Sequence, residues 1–281
     1  MFLHSYHPNP VFLQIGPIRI YWYSFFIVLG IITAFIATNW LLSKKQANNA
    51  FCEGNIDLTD LSIYLLIGGL FGARFLHVLA EWRVYIVKPL DIFKIWNGGL
   101  WIYGAILGGA LSVVIFVIKK IKKCSVSETW EKIKCLLDLL APGIILAQAI
   151  GRWGNYFNQE LYGLPTNLPW GIPIDTLHKV PEFTNNIFFH PIFLYESLWC
   201  GLIGIILLWL NRKKIASIDS SFLKRGSIFL LYLFLYSLGR FFFEFLRIDP
   251  VPQFCGIRIT QLVAGAVVAT SGFFLFKNEY F

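Results

Sequence analysis

Seven blocks of apolar residues, most of them about as long as a bilayer is thick, constrain the fold of this chain more than any other feature. A hydrocarbon core of about 30 Å requires roughly 20 apolar residues in a helix. We therefore predict an all-α polytopic integral membrane protein with seven transmembrane helices. Their expected bounds are 20–42, 59–79, 99–118, 136–151, 192–211, 227–246 and 259–276.

The charge content agrees with this prediction. Only 14% of the 281 residues are charged, against about 25% in an ordinary soluble domain, and the mean hydropathy is +0.63. These values exclude a disordered or collagen-like chain and argue against a soluble enzyme. The fourth block is the shortest and contains Asp138 and Pro142, so it is the weakest of the seven predicted spans.

The net charge of +8 comes mainly from short basic runs between apolar blocks, such as 119–123 and 212–214. This placement suits the positive-inside bias and attraction to anionic lipids. A nucleic-acid groove would instead interleave basic with aromatic residues, so we expect no nucleic-acid partner.

The distribution of Lys and Arg between the two sides predicts the orientation. One side carries 14 of them, in the connections 43–58, 119–135 and 212–225 and the C-terminal tail. The other side carries 8, in the N-terminus and the connections 80–97, 152–190 and 247–258. We therefore expect the N-terminus outside and the C-terminus in the cytoplasm.

The chain is expected to form a single membrane domain over residues 1–281. Within it, the connection 152–190 is rich in Pro and Gly, which oppose long regular helices. We expect that connection to form an irregular, outward-facing segment. The five cysteines are scattered without a C-x-x-C pair, so neither a disulfide framework nor a zinc site is indicated. The first 17 residues lack Lys and Arg, and we expect no cleaved signal peptide.

Ionisable residues inside a bilayer are costly and therefore mark candidate functional sites. Six predicted spans carry polar groups in their outer halves, and Asp138 alone lies toward the inner side. The outer groups are Tyr23, Arg74, Tyr103, Gly151, Arg152, Asn155, His190, Tyr195, Glu196, Arg240, Glu244 and Arg247. Guanidinium groups bind phosphate oxygens in a bidentate manner. Two or three arginines at this depth therefore indicate a site for a phospholipid headgroup.

Structural explanations for these residues remain open at this stage. Arg and Tyr near helix ends also anchor a protein at the membrane interface, which applies to Arg74, Arg247 and Tyr195. Tyr23 lies in an aromatic run that is typical of an interfacial belt. Spacings of four and three place Arg240, Glu244 and Arg247 on one helical stripe, where they could form a structural ion pair.

The stretch from Gly151 to Glu160, followed by Gly163, resembles the signature of the bacterial prolipoprotein diacylglyceryl transferases. The resemblance extends over nearly the whole chain. Further matching positions are Trp22-Tyr23, Gly72-Ala73-Arg74, Trp96-Asn97-Gly98-Gly99, Asp138, Pro142, His190-Pro191, Tyr195-Glu196 and the run from Arg240 to Arg247.

The resemblance implies a reaction, its partners and a location. The family transfers the diacylglyceryl group of phosphatidylglycerol to the lipobox cysteine of a preprolipoprotein, forming a thioether and releasing glycerol 1-phosphate. It implies no metal or organic cofactor. It also implies residence in the lipid bilayer of the bacterial cytoplasmic (inner) membrane, with the site toward the extracytoplasmic side.

The resemblance further implies roles for individual residues. Arg152 and Arg240 would bind and stabilise the phosphate, with Glu244 orienting Arg240 and Arg247 adding to phosphatidylglycerol binding. Asn155 and Glu160 would hold the headgroup or the outer loop. Gly163 would permit close packing over the site, and Tyr23 would hydrogen-bond the lipid or the approaching peptide.

Tyr103 departs from the family pattern, because many members carry a His at this position. Histidine is a good general base near neutral pH, whereas a tyrosine with a pKa of about 10 is a poor one. Either no protein base is required, or Tyr103 only orients the lipid while the arginines lower the pKa of the thiol. We favour the second interpretation. His77 could replace the missing base, although buried helix packing or an interfacial position explains this residue better.

Two other functions remain as alternatives. A non-catalytic phospholipid carrier could use the same arginine-rich cavity, but it would need polar groups that continue to the cytoplasmic face. An intramembrane peptidase would need a Ser–His or paired-Asp arrangement, which the sequence does not suggest.

Overall fold

The computed structural model describes residues 2–47, 56–120, 125–216 and 223–277 and is mostly helical. The helices are α1 (Phe2–Ser5), α2 (Trp22–Ala47), α3 (Leu58–Ala80), α4 (Trp82–Val87), α5 (Ile102–Lys120), α6 (Val126–Phe157), α7 (Ile192–Ala216), α8 (Ser227–Phe243) and α9 (Ile259–Phe276). Three short two-stranded antiparallel sheets in the described part of the chain pair β1 (Val11–Ile15) with β2 (Ile18–Tyr21), β3 (Ile172–Pro173) with β4 (Phe188–Phe189), and β5 (Gln253–Phe254) with β6 (Ile257–Arg258). Part of the basic run 119–123, namely 121–123, lies outside the described residues.

Six described helices are long and apolar enough to cross a membrane, namely α2, α3, α5, α6, α7 and α9. The remaining predicted span, 227–246, corresponds to α8, an apolar helix of only 17 residues. The protein is therefore a membrane-embedded helical protein. A seventh crossing and the orientation of the termini stay predictions.

The fourth span differs most from its predicted bounds of 136–151. The helix α6 has 32 residues and continues through Pro142. The part of α6 before residue 136 carries several charged residues, so a search for apolar blocks does not detect it. At its other end, the first six residues of the connection 152–190 are helical, so the prediction that this whole connection is irregular is wrong there.

Asp138 has a structural role that the sequence does not indicate. Its carboxylate accepts hydrogen bonds from the backbone N–H groups of Gly226 (2.8 Å) and Phe229 (2.9 Å), at the start of α8, and from Nζ of Lys214 (3.0 Å). Unsatisfied N–H groups at a helix N-terminus favour an anion. Asp138 therefore caps α8 from the neighbouring helix α6.

The chain divides into two compact units, one formed by Met1–Ala50 with Leu137–Phe281 and the other by Phe51–Leu136. The first unit has a core of side chains from α6, α7 and α8, including Ile145, Ile203 and Leu207, which are at most 1% exposed. The candidate site described below lies in this unit.

In the second unit, α3 packs closely against α5 through glycines one turn apart. A Cβ added to Gly72 would lie 2.3 Å from the carbonyl oxygen of Gly104, and one added to Gly108 would lie 2.0 Å from that of Gly68. Such distances are too short for any side chain. The spacing of these four glycines thus permits the close approach of α3 and α5.

The irregular part of the connection 152–190 is fastened to the N-terminal residues. Nε2 of Gln159 donates to the carbonyl oxygen of Pro8 (3.2 Å) and to the carboxylate of Asp175. Nδ1 of His4 lies 2.9 Å from the carbonyl oxygen of Gly171. Tyr162 donates to His178 O at 2.7 Å and lies in a small core with Phe189. These contacts hold the segment against the N-terminal residues.

Candidate active site

Glu196, near the start of α7, joins the two arginines to which the resemblance assigns the phosphate. Its Oε2 lies 2.7 Å from Nε of Arg152 on α6, and its Oε1 accepts a 2.8 Å hydrogen bond from Nη1 of Arg240 on α8. A third guanidinium, that of Arg247, lies 3.8 Å from Oε1. Residues from three different helices thus meet at one carboxylate that is only 4% exposed.

Glu244 forms a second buried carboxylate beside the first. Its Oε2 lies 3.1 Å from Nη2 of Arg240, one helical turn earlier, as the spacing of four predicts. Its Oε1 lies 2.8 Å from Nε of Arg258 and accepts a 2.6 Å hydrogen bond from Thr260. Glu244 therefore links Arg240 to the start of α9.

The arginine side chains of this cluster differ in their exposure to solvent. The side chains of Arg152 and Arg240 are each 19% exposed, whereas that of Arg247 is 3% exposed and its Nε lies 2.7 Å from Asp249. Arg258 donates to the backbone carbonyls of Arg247 and Asp249, both at 2.6 Å. Arg152 and Arg240 are thus the better placed to contact a ligand, while Arg247 and Arg258 are held by protein groups.

Electrostatics favour an anion at this cluster. It contains four guanidinium groups, of Arg152, Arg240, Arg247 and Arg258, but three carboxylates, those of Glu196, Glu244 and Asp249. Burial raises the pKa of Asp249. The hydrogen bond from Arg247 and the charges of Arg247 and Arg258 outweigh this effect and hold the pKa below its usual value. The excess of positive charge supports binding of a phosphate group.

Tyr23, in the first turn of α2, lies against the signature stretch of α6. A Cβ added to Gly154 would lie 2.6 Å from Cδ2 of Tyr23, so only glycine allows this approach. The Tyr23 side chain remains 38% exposed. Tyr23 therefore contacts α6 at Gly154, which follows Arg152 by two residues.

Asn155 and Glu160 contact each other at the end of α6. Nδ2 of Asn155 donates a 2.8 Å hydrogen bond to Oε1 of Glu160, and the backbone N–H of Glu160 donates to the carbonyl of Asn155 at 3.0 Å. The flanking residues Gln159 and Leu161 have φ values of 52° and 56°. Such left-handed conformations are uncommon outside glycine and often mark functional sites. A cavity of about 320 Å³ lies beside this turn and is also lined by Asp249.

Gly163 connects this turn to the ends of two helices. Its N–H donates a 2.9 Å hydrogen bond to the carbonyl of His190, and its backbone pairs with that of Arg247. A Cβ at this position would lie 2.9 Å from Cβ of His190 and from side-chain atoms of Ile192. Its lack of a side chain therefore allows the close packing that the resemblance implies.

Tyr103 and Arg74 belong to the second unit, in α5 and α3. Tyr103 is 62% exposed. Arg74 is only 8% exposed and donates to backbone carbonyls of its own unit. It therefore does not behave as an interfacial anchor. The catalytic assignment of Tyr103 stays a prediction.

Sequence reasoning missed several residues of the cluster. The sequence suggests no role for Glu196 beyond its polarity, and no pattern in it points to Arg258, Thr260 or Asp249. Arg258 lies outside the predicted spans, where the sequence shows only its contribution to the loop charge. No local signal connects it to Glu244, because the contact depends on how α8 and α9 pack.

Comparison with known proteins identifies relatives along nearly the whole chain. The model of the family described as prolipoprotein diacylglyceryl transferase matches residues 10–277. A phosphatidylglycerol–prolipoprotein diacylglyceryl transferase of Trichormus variabilis is 40% identical over 257 residues, covering 92% of this chain and 85% of the relative. That of Gloeobacter violaceus is 40% identical over 269 residues, covering 94% and 91%. This chain therefore belongs to the prolipoprotein diacylglyceryl transferase family.

Proposed function

We propose that this protein transfers the diacylglyceryl group of phosphatidylglycerol to the lipobox cysteine of a preprolipoprotein. The observation that carries the proposal is the convergence of Arg152 and Arg240 on Glu196 at 2.7 and 2.8 Å, with both guanidinium groups partly exposed. The family membership supports the same reaction.

The transfer exchanges one bond for another at the glyceryl carbon. The thiolate sulfur attacks the carbon that carries the phosphate, a C–S bond forms, and the C–O bond to phosphate breaks. Glycerol 1-phosphate leaves with the bonding electrons, and the thiol proton passes to an acceptor. Because negative charge grows on the leaving phosphate ester, fixed cationic donors lower the barrier.

In this mechanism Arg152 and Arg240 bind the phosphate and stabilise its growing charge. Glu196 holds the two guanidinium groups side by side, and Glu244 fixes the plane of Arg240. Arg247 contributes to phosphatidylglycerol binding mainly by keeping Glu196 and Asp249 in place, since its own side chain is nearly buried. Arg258 has the corresponding role for Glu244.

The residues around the cluster complete the substrate site. Tyr23 hydrogen-bonds the lipid or the peptide from its partly exposed position. Asn155 and Glu160 hold the turn that follows α6, and Gly163 lets that turn pack against α7. In the chemistry of the cluster, the arginines favour the thiolate over the thiol. Tyr103, on α5 of the second unit, keeps the role of orienting the lipid that the sequence predicts for it.

The proposal includes a location. We place the protein in the bacterial cytoplasmic membrane with seven spans, the N-terminus outside, the C-terminus in the cytoplasm and the arginine cluster toward the extracytoplasmic side. The distribution of Lys and Arg between the loops supports this orientation.

A reconstituted transfer assay tests the proposed reaction. The purified protein in vesicles containing phosphatidylglycerol with labelled acyl chains should attach label to a lipobox peptide. A matched peptide with Ser in place of the Cys should remain unlabelled. Lipid movement between leaflets without any labelled peptide would identify the protein as a carrier and reject the transferase.

A further inference from the structure

Arg74 directs its guanidinium group at the backbone of one loop. Its Nε donates a 2.8 Å hydrogen bond to the carbonyl of Ile92. Its Nη1 donates to the carbonyls of Gly98 (2.8 Å) and Gly99 (3.1 Å), and its Nη2 donates to that of Asp91. Four of the five N–H groups of this arginine are therefore used on backbone carbonyls, and the side chain cannot offer them to a phosphate at the same time.

These carbonyls belong to two separate parts of the loop 88–99. Asp91 and Ile92 lie in a 3-10 helix (Pro89–Phe93), and Gly98 and Gly99 form the turn that precedes α5. One rigid, planar guanidinium group thus bridges both parts. A lysine carries its donors on a single atom and cannot match this geometry. Without Arg74, these partly buried carbonyls would lose a hydrogen-bond partner, which is costly wherever water does not replace it.

The glycine pair of the turn fits this arrangement. Gly98 and Gly99 have φ values of 86° and 76°, which side chains rarely adopt. A Cβ on Gly99 would lie 2.7 Å from Nη1 of Arg74 and 2.4 Å from Nε2 of His77, whereas one on Gly98 would meet nothing within 4 Å. Both positions require glycine for conformation, but only Gly99 requires it to make room for side chains, those of His77 and Arg74.

The same turn leads directly into α5. The N–H of Trp101 donates a 3.1 Å hydrogen bond to the carbonyl of Ala73, the residue before Arg74. The helix begins at Ile102, so Tyr103 lies in its first turn. The start of α5 is therefore fixed to α3 at Ala73 and, through the preceding turn, at Arg74.

We propose that Arg74 is a positioning residue that fixes the loop 88–99 and, through it, the first turn of α5 with Tyr103. Arg74 acts through backbone carbonyls and does not bind the substrate phosphate. The role of Arg74 in fixing the loop does not depend on the function of the protein, whereas the effect of Arg74 on transfer rests on the function proposed above.

Hydrogen exchange of the full chain in lipid nanodiscs tests the structural part. In Arg74→Lys we expect the amides of Lys94, Gly98 and Trp101 to exchange at least about tenfold faster, because the loop opens locally. The first turns of α3 should keep their exchange rates. Unchanged exchange in the loop, or equal acceleration along the whole chain, would overturn the proposal.

The glycine pair provides a matched control. Both Gly98→Ala and Gly99→Ala strain the backbone, but only Gly99→Ala places a Cβ against the side chains of Arg74 and His77. We expect Gly99→Ala to reproduce the loop exchange of Arg74→Lys and Gly98→Ala to show a clearly smaller change. Equal changes in the two alanine variants would show that displacement of Arg74 is irrelevant.

A double variant tests the link to Tyr103. If Arg74 acts through Tyr103, Arg74→Lys combined with Tyr103→Phe transfers no more slowly than the slower single variant. The link would be overturned if the fold-loss of transfer rate in the double variant equalled the product of the two single losses, or if Tyr103→Phe were fully active. Either result would leave the conclusion about the loop unchanged. Absence of any transfer by the wild-type protein would instead reject the proposed function, and the exchange experiment would still decide the role of Arg74.

Discussion

Arg152 and Arg240 bind opposite oxygens of one carboxylate, that of Glu196, although they lie on different helices 88 positions apart in the sequence. Ion pairs in a low-dielectric interior depend strongly on their geometry. Two guanidinium groups held side by side at fixed positions form a preorganised anion site, and such a site costs little reorganisation during reaction.

Replacement of Arg240 tests the central assignment. We expect Arg240→Ala to lower the transfer rate by roughly 10²–10³-fold, the usual cost of losing one donor to a developing anion. Arg240→Lys should retain part of the activity because it keeps the charge but loses the bidentate geometry. Label transfer to the peptide measures the rate, and size-exclusion chromatography confirms folding. A folded Arg240→Ala variant with the wild-type rate would reject the assignment.

Glu196→Gln tests whether the shared carboxylate organises the site. Its loss leaves two guanidinium groups without their common partner, and breaking a buried ion pair costs about 3–5 kcal/mol. We expect a lower midpoint of thermal unfolding and a higher KM for phosphatidylglycerol. Glu182→Gln, an exposed carboxylate, is the control and should change neither. Wild-type stability and KM in Glu196→Gln would contradict the role of Glu196.

Two glycines of α6 form a matched pair for the contact with Tyr23. A Cβ at Gly151 would meet nothing within 4 Å, whereas one at Gly154 would lie 2.6 Å from the Tyr23 ring. Alanine favours a helix over glycine by about 1 kcal/mol. We therefore expect Gly151→Ala to preserve or raise the unfolding temperature and Gly154→Ala to lower it. Equal unfolding temperatures of the two variants would argue against close packing at Tyr23.

The pH dependence of transfer tests the hydroxyl of Tyr103. If Tyr103 only orients the lipid, Tyr103→Phe should raise KM while the shape of the pH–rate profile remains that of the wild type. A lost or displaced limb of the profile would instead identify the hydroxyl as part of the proton transfer. An identical rate, KM and profile would remove the hydroxyl from the mechanism.

Asp175 should make stability depend on pH in the acid range. The hydrogen bond from Gln159, followed by that from His7, lowers the pKa of Asp175 below its ordinary value of 3.8. The unfolded chain therefore binds the proton more readily, and the stabilisation is present above about pH 4 and is lost as pH falls further. Unfolding temperatures of wild type and Asp175→Asn should converge below this range. A difference that persists unchanged down to pH 3 would contradict this expectation.

Much of the architecture could be predicted from local patterns. Apolar blocks predicted seven spans, and six of them are helices that are long enough to cross a membrane, whereas the seventh corresponds to the shorter helix α8. The true length of α6 could not be predicted in this way. Its N-terminal part is amphipathic, and its C-terminal part contains glycines, which are more typical of a loop than of a helix.

The sequence by itself determined membrane insertion, the helical periodicity and the set of polar residues near the helix ends, since these follow from hydropathy and the spacing of neighbours along the chain. Only the tertiary structure decided which charges meet. In the folded chain Arg152 and Arg240 both contact Glu196, and Arg258 forms an ion pair with Glu244. Arg74 instead donates its hydrogen bonds to backbone carbonyls. The physical reason is that an ion pair forms where helices pack, and the residues within one helix do not specify their partners on another.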